Sequence, residues 1–412
     1  MTNLPQGWEV KKLGDIAEIS SGGTPSRNKK EYWDNGSIPW VKIKDIKEKF
    51  ISTTEEFITE DGLKNSSAKL FKKGTLLYSI FATLGEVAIL DIDATTNQAI
   101  AGINIKENNI NSLYLMYFLR SIKDEISNKG RGVAQNNLNL SILKQIQIPL
   151  PPLKEQERIV GILDESFAKI DESIKILEQD LLNLDELMQS ALQKAFNPLK
   201  DNAKENYKLP QGWEWKSLGE IGEIITGTTP SKNNPNFYGN EYPLFKPSDL
   251  NGDMIIKYAS DNLSKLGFDN ARNLPKDTIL VVCIGASIGK VGLSGVNGSC
   301  NQQINAIIPN SAFTSKYLFF VCLSNYFQTI LKKNASQTTL PIINKTEFSK
   351  LQIPLPPIKE QEQIASHLDE LSSHVKNLKQ NYQAQIKDLQ ELKNSLLDKA
   401  FKGKKCKIKS TK

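Results

Sequence analysis

A chain that repeats its own sequence at a fixed spacing must fold as copies of one unit, and here the spacing is 205 residues (Leu4 to Leu209). The run Leu4-Pro5-Gln6-Gly7-Trp8-Glu9 returns as Leu209-Pro210-Gln211-Gly212-Trp213-Glu214. Ile148-Pro149-Leu150-Pro151-Pro152-Leu153-Lys154-Glu155-Gln156-Glu157 returns as Ile353-Pro354-Leu355-Pro356-Pro357-Ile358-Lys359-Glu360-Gln361-Glu362. A third block, Ser190 to Phe196, answers to Ser395 to Phe401. Between these anchors the match thins and the register drifts. Thr24-Pro25-Ser26 pairs with Thr229-Pro230-Ser231, Lys42 and Asp45 with Lys246 and Asp249, and Asn97-Gln98 with Asn301-Gln302. Loops of two copies of one fold accumulate small insertions and deletions of this kind.

Each copy has two parts of different character. The first, residues 1–150 and 201–355, mixes short strand signals with turns and reads as a compact α/β domain. Thr75 to Phe81 and Thr278 to Ile284 look like buried strands, and Ser112 to Ile126 and Ser315 to Leu331 look like helices. Ser20 to Lys29 and Thr226 to Asn236 read as loops. The second part, 151–200 and 356–401, starts at a Pro-Pro pair followed by Glu residues, which suit the first turn of a helix. Apolar residues then step by four and three: Ile170, Ile174, Leu177, Leu181, Leu184 and Met188. In the second copy the stepping runs Ile364, Leu368, Leu371, Val375, Leu378 and Tyr382, and resumes at Leu389, Leu392 and Leu396. A seam of period 3.5 needs a partner helix, and the economical partner is the other long helix of the chain. We therefore expect the two to pack as an antiparallel coiled coil with pseudo-two-fold symmetry, each helix of about 40 residues and roughly 60 Å. Residues 402–412 form a basic tail.

Composition narrows the function. In 412 residues the longest apolar runs are Ile279 to Ile284 and Tyr317 to Leu323, far short of the ~20 needed to cross a bilayer. The start MTNLPQGWEV carries no apolar signal segment. The four cysteines (Cys283, Cys300, Cys322, Cys406) lack any C-x-x-C pair and read as reduced thiols of a cytoplasmic protein. The two histidines, His367 and His374, are spaced seven apart rather than four, so they do not suggest a metal pair. Fifty-two Lys and Arg against 46 Asp and Glu leave a mild basic excess, compatible with nucleic acid.

At the L-P-Q-G-W-E starts, the SGGTPS (21–26) and TGTTPS (226–231) loops, and the P-L-P-P-[LI]-K-E-Q-E helix starts, the chain resembles the specificity (S) subunit of type I restriction–modification enzymes. The resemblance covers essentially the whole chain. It implies two tandem target recognition domains, each followed by a conserved helix that binds methyltransferase subunits. It further implies that the N-terminal domain reads the 5′ half of a bipartite target on double-stranded DNA and the second domain the 3′ half, with helix length setting the spacer. The chain would then be non-catalytic. Two methyltransferase subunits and restriction subunits would carry S-adenosylmethionine, ATP and Mg²⁺, with no cofactor in this chain. Partner-binding candidates are Glu155, Gln156 and Glu157 with Glu360, Gln361 and Glu362.

Candidate DNA contacts follow from residue chemistry. Arg131, Gln135, Asn136 and Asn137, with Gln337, Thr338 and Thr339, form polar loops ahead of the helices that differ between copies, as base readers must. Arg27 and Lys232, in the turn-rich loops, stand in the same light. An ordinary polar loop is the other reading of each. Lys42 and Lys246 are common to both copies, so they would touch phosphate or simply face solvent. Gly285-Ala286-Ser287-Ile288-Gly289-Lys290 has the look of a phosphate loop but is one residue short, and no Ser or Thr follows the lysine. Asn234-Pro235-Asn236-Phe237 resembles an amino-methyltransferase loop without a cofactor loop before it, and reads as a turn. Two rival functions remain at this point: a self-contained methyltransferase or nuclease, and a coiled-coil adaptor that reads no DNA.

Overall fold

The computed structural model describes residues 7–130, 138–196, 209–336 and 340–401. The chain divides into two compact units, Met1–Ile176 with Ala384–Lys412, and Leu177–Gln383. Each unit thus holds one head, the start of the long helix that follows it, and the end of the other long helix. The two long helices, Leu153–Phe196 and Ile358–Phe401, pack against each other.

In the first unit the head is built on a five-stranded sheet in the order Ala17–Ser21, Ile100–Ile105, Leu76–Ser79, Val87–Leu90 and Phe50–Ile51. The first four strands run antiparallel and the last pair is parallel. Leu76–Ser79 and Val87–Leu90 are buried throughout, as continuous apolar runs covered on both faces must be. A second sheet orders Glu56–Ile58, Ile38–Val41 and Thr95–Thr96. The second unit repeats both sheets, with Ile224–Thr226, Ile304–Ile307, Ile279–Val282, Val291–Ser294 and Ile255–Ile256 in one and Asp261–Leu263, Tyr238–Phe245 and Ser299–Cys300 in the other.

The repeated sequence blocks are the closures of each head. Glu9–Lys12 pairs with Gln147–Leu150, and Glu214–Ser217 pairs with Gln352–Leu355. Gly7 and Gly212 make the turn before these strands at φ +88 and +86, a conformation that favours glycine. Tyr114 and Tyr317, both fully buried, donate their hydroxyls to the Pro149 and Pro354 carbonyls at 2.6 and 2.7 Å. The third block ends in Phe196 and Phe401. Phe401 packs edge-on against Tyr114 and Phe118 of the first unit, and Phe196 against Tyr317 of the second. The first long helix also bonds to its own head: Asp164 accepts from Tyr117 Oη and from Lys49 Nζ, the latter at 2.5 Å.

Two expectations change in detail. The helices expected over Ser112 to Ile126 and Ser315 to Leu331 each break in two, into Ser112–Ser121 with Lys123–Gly130, and Ser315–Leu323 with Asn325–Asn334. In the second unit Ser324 adopts extended backbone and its hydroxyl caps the next helix at Phe327 N, which ends one helix and starts the other. In the distal helix Leu378 and Leu392 leave the seam, at 40% and 45% exposed. Lys379 takes the inward place and pairs with Asp185, while Lys393 pairs with Asp171 at 2.6 Å. The seam steps Val375, Lys379, Tyr382 in one unit and Ile386, Leu389, Lys393, Leu396 in the other.

Candidate nucleic-acid interface

The loop of each head is held by glycines for want of space. A Cβ on Gly22 would lie 1.9 Å from Thr96 Oγ1, and one on Gly227 would lie 2.2 Å from the Asn301 and Cys300 carbonyl oxygens. Only glycine lets SGGTPS and TGTTPS run this close to the Asn-Gln turns of their own heads. Backbone bonds Gly22 N to Ile100 O and Gly227 N to Ile304 O, both 3.0 Å, fix that approach. Thr24 then donates to Gln98 Oε1, and Thr229 to Gln302 Oε1 at 2.8 Å. The repeated Thr and Gln are therefore one bond seen in both heads.

From the Asn-Gln turns the hydrogen-bond chain continues. Ile80 N donates to Ala99 O and Cys283 N to Gln303 O; Leu138 N and Ile343 N donate back to Ile80 O and Cys283 O. Leu138 and Leu340 flank the segments that carry the polar-loop candidates. Four loops thus meet at one end of each head: the Thr-Pro-Ser loop, the Asn-Gln turn, the hairpin turn after the buried strand, and the segment before the long helix. That hairpin turn is Gly285 to Lys290 in the second head. It joins two antiparallel strands, with Gly289 N bonded to Val282 O at 2.9 Å, where a phosphate loop would lead from strand into helix. Asn234 to Phe237 is a short helical turn capped by the Asn234 side chain on Asn236 N at 3.2 Å.

Beside the Thr-Pro-Ser loop each head carries an acid between two cations. Glu56 binds Lys42 Nζ and lies 2.5 Å from Arg27 Nη2. Asp261, in the same place of the second head, binds Lys246, and the charge of Lys232 acts on it as well. Burial works to raise the Glu56 carboxyl, but the bonds from Lys42 and Arg27 and their charges outweigh it and hold the group below its usual range. Asp261 is held below its usual range first by the Lys246 bond. Lys42 and Lys246 are further fixed through their backbone N–H groups, which donate to Asp45 and Asp249 at 2.8 Å. The expectation of a solvent-facing lysine is corrected for both: each ammonium is largely covered and paired. Arg27 and Lys232 remain open to solvent.

Arg131, Gln135, Asn136, Asn137, Gln337, Thr338 and Thr339 lie outside the described residues, as does the basic tail. Among the partner-binding candidates, Glu157 and Glu362 are exposed. Glu155 pairs with Arg158 at 2.7 Å, and Glu360 accepts from Trp213 Nε1 at 3.0 Å. Gln156 and Gln361 are corrected: each is 1% exposed. Gln156 takes the Asn111 N–H and donates to the Asn109 and Pro151 carbonyls, and Gln361 repeats this with Thr314, Ala312 and Pro356. These amides close their own heads, because a buried backbone group left unpaired is costly.

Sequence reasoning missed Glu56, Asp261 and the tryptophans Trp33 and Trp40 that flank Arg27. The signal was present, since Glu56 and Asp261 repeat at the common spacing of 205 (56 to 261), but the residue type changes and the neighbours do not match. Among the described residues no group of His, Cys, Asp and Glu could hold a metal ion, and no helix is long and apolar enough to cross a membrane.

Comparison with known proteins places this architecture. The family model described as type I restriction modification DNA specificity domain matches residues 5–181 and again 210–388. The MjaIX specificity subunit of Methanocaldococcus jannaschii is 28% identical, over 97% of this chain and 94% of its own length. The HindI specificity subunit of Haemophilus influenzae is 25% identical, over 96% and 99%. Among solved structures, a chain from work on complex assembly and conformational transition of the type I R-M system aligns at TM-score 0.78 with 23% identity, covering 97% of this chain and 99% of that one. The HsdS subunit from Thermoanaerobacter tengcongensis aligns at 0.59 with 23% identity, covering 97% and 98%.

Proposed function

The chain belongs to the type I restriction modification DNA specificity domain family and is a specificity subunit of such a system, and from that footing we propose that its two heads read the two halves of one split, asymmetric DNA target. The observation that carries this reading is the contrast within the duplicated loop cluster. Both heads keep the same scaffold: the glycine, the Thr–Gln bond, and the acid holding a lysine. The side chains mounted on that scaffold differ, with Arg27 in one head and Lys232 in the other. A shared frame with unlike exposed groups is what reading two unlike half-sites requires, and the lysine common to both heads, tied to its acid, belongs to that frame.

The long helices then serve as the spacer element and, with the exposed Glu157 and Glu362 near their starts, as the docking surface for two methyltransferase subunits, to which restriction subunits add. S-adenosylmethionine, ATP and Mg²⁺ belong to those partners. The test is to reconstitute the chain with its methyltransferase, locate the methylated positions, and titrate target and random DNA at several salt concentrations. A reader keeps its affinity for the split target as salt weakens the phosphate contacts, while random binding falls steeply. Equal decline on both would indicate an adaptor that reads nothing, and methylation by the purified chain alone would indicate a self-contained enzyme.

A further inference from the structure

The surroundings of Arg27 specify what kind of contact it can make. Its guanidinium carbon lies 3.6 Å from the ring centroid of Trp33 and 4.8 Å from that of Trp40. The two indoles meet edge to face with centroids 5.0 Å apart. Each donates its ring N–H to the loop that carries Arg27, Trp33 to Ser26 O and Trp40 to Gly23 O, both at 3.1 Å. The rings are therefore set by the loop, and the guanidinium plane is set by the rings. A guanidinium held in this way loses little rotamer freedom when it binds.

The donors are consumed only in part by this arrangement. Arg27 stays 51% exposed, against 29% for the Glu56 side chain. Glu56 Oε2 lies 2.5 Å from Nη2 and engages that one nitrogen of the guanidinium. The carboxylate thus balances charge and steadies the group at one nitrogen, without occupying the rest of its fork of N–H donors.

We propose that Arg27 reads a guanine in the half-site of the first head, presenting paired N–H donors to O6 and N7 in the major groove. This rests on the DNA-reading function proposed above and makes it specific. A phosphate requires a positive charge but no fixed plane. The second head keeps the charge as Lys232, with Leu244 at the strand position of Trp40, so only the first head carries the oriented fork. A bidentate arginine–guanine pair discriminates against other bases by roughly tenfold to a hundredfold.

The test uses the full chain with its methyltransferase and the target with each position varied in turn. In Arg27→Lys and Arg27→Gln the preference for guanine should vanish at one position of the first head's half-site. Preference in the second half-site should stay intact, which also verifies folding. With the unaltered protein, 7-deazaguanine at that one position, which removes N7, should weaken binding, and at other guanines of that half-site it should not. Uniform weakening on all sequences, with the salt slope reduced by about one, would make Arg27 a phosphate contact and overturn the assignment. Unchanged specificity in both variants would overturn it as well. Failure of the broader function would look different, since the unaltered complex would then prefer no split target at all.

Discussion

The ammonium of Lys42 is bonded to the carboxylate of Glu56, which sits on the strand beside the one that ends at Val41. The second head repeats this with Lys246 and Asp261. Removing the acid leaves Lys42 with Glu55 alone, 3.5 Å away, and takes from Lys246 the carboxylate it is paired with. Glu56→Gln keeps the shape and removes the charge, so the first unit should lose about 1–2 kcal/mol, with Asp261→Asn doing the same to the second. Urea unfolding followed by unit-specific hydrogen exchange checks this. Equal stability of variant and parent would contradict it.

The same carboxylates set an acid limit. Both have folded values below their ordinary ones of 4.5 and 3.8. Such groups contribute stability above the unfolded value and lose it as pH falls through the folded one. Melting temperature should therefore drop as pH is lowered from about 5 towards 3. The drop should be shallower in the double variant Glu56→Gln, Asp261→Asn.

Helix ends should be the strongest local anchors. Phe401 is buried against Tyr114 and Phe118 of the first unit, and Phe196 against Tyr317 of the second. Truncating a buried phenylalanine to alanine costs about 3–5 kcal/mol. Phe401→Ala should loosen the first head although it lies at the far end of the sequence, and Phe196→Ala should loosen the second. Hydrogen exchange resolved by peptide reads which head opens, and the reverse assignment would contradict the division of the chain.

Burial pushes the Cys283 and Cys300 thiols up to about 12 and raises Cys322 as well. Thiolate is the reactive form, so these three thiols should resist iodoacetamide at pH 8.5 in the native protein and react once urea unfolds it. The neutral thiols contribute stability below the unfolded value near 9 that is lost as pH rises beyond it.

The duplication, the α/β heads and the paired helices were all legible, because blocks repeated at one spacing and seams of period 3.5 are properties of the chain itself. What escaped was whatever depends on a partner distant in sequence. Leu378 fits a four-three step as well as Lys379 does, and only the facing Asp185 decides which turns inward. Gln156 looks like an exposed residue of a helix's first turn until the Asn111 and Asn109 backbone closes over it. Arg27 was visible as a polar loop residue. Its cradle was not, since Trp33 and Trp40 reach the loop through indole N–H bonds that leave no periodic trace.

The most direct measurement of the central claim is methylome mapping in cells carrying the chain with residues 4–150 replaced by the corresponding head of another family member. The expected result is a target changed in one half only, with the other half and the spacer length retained. A target changed in both halves, or in neither, would contradict the assignment of one head to each half-site.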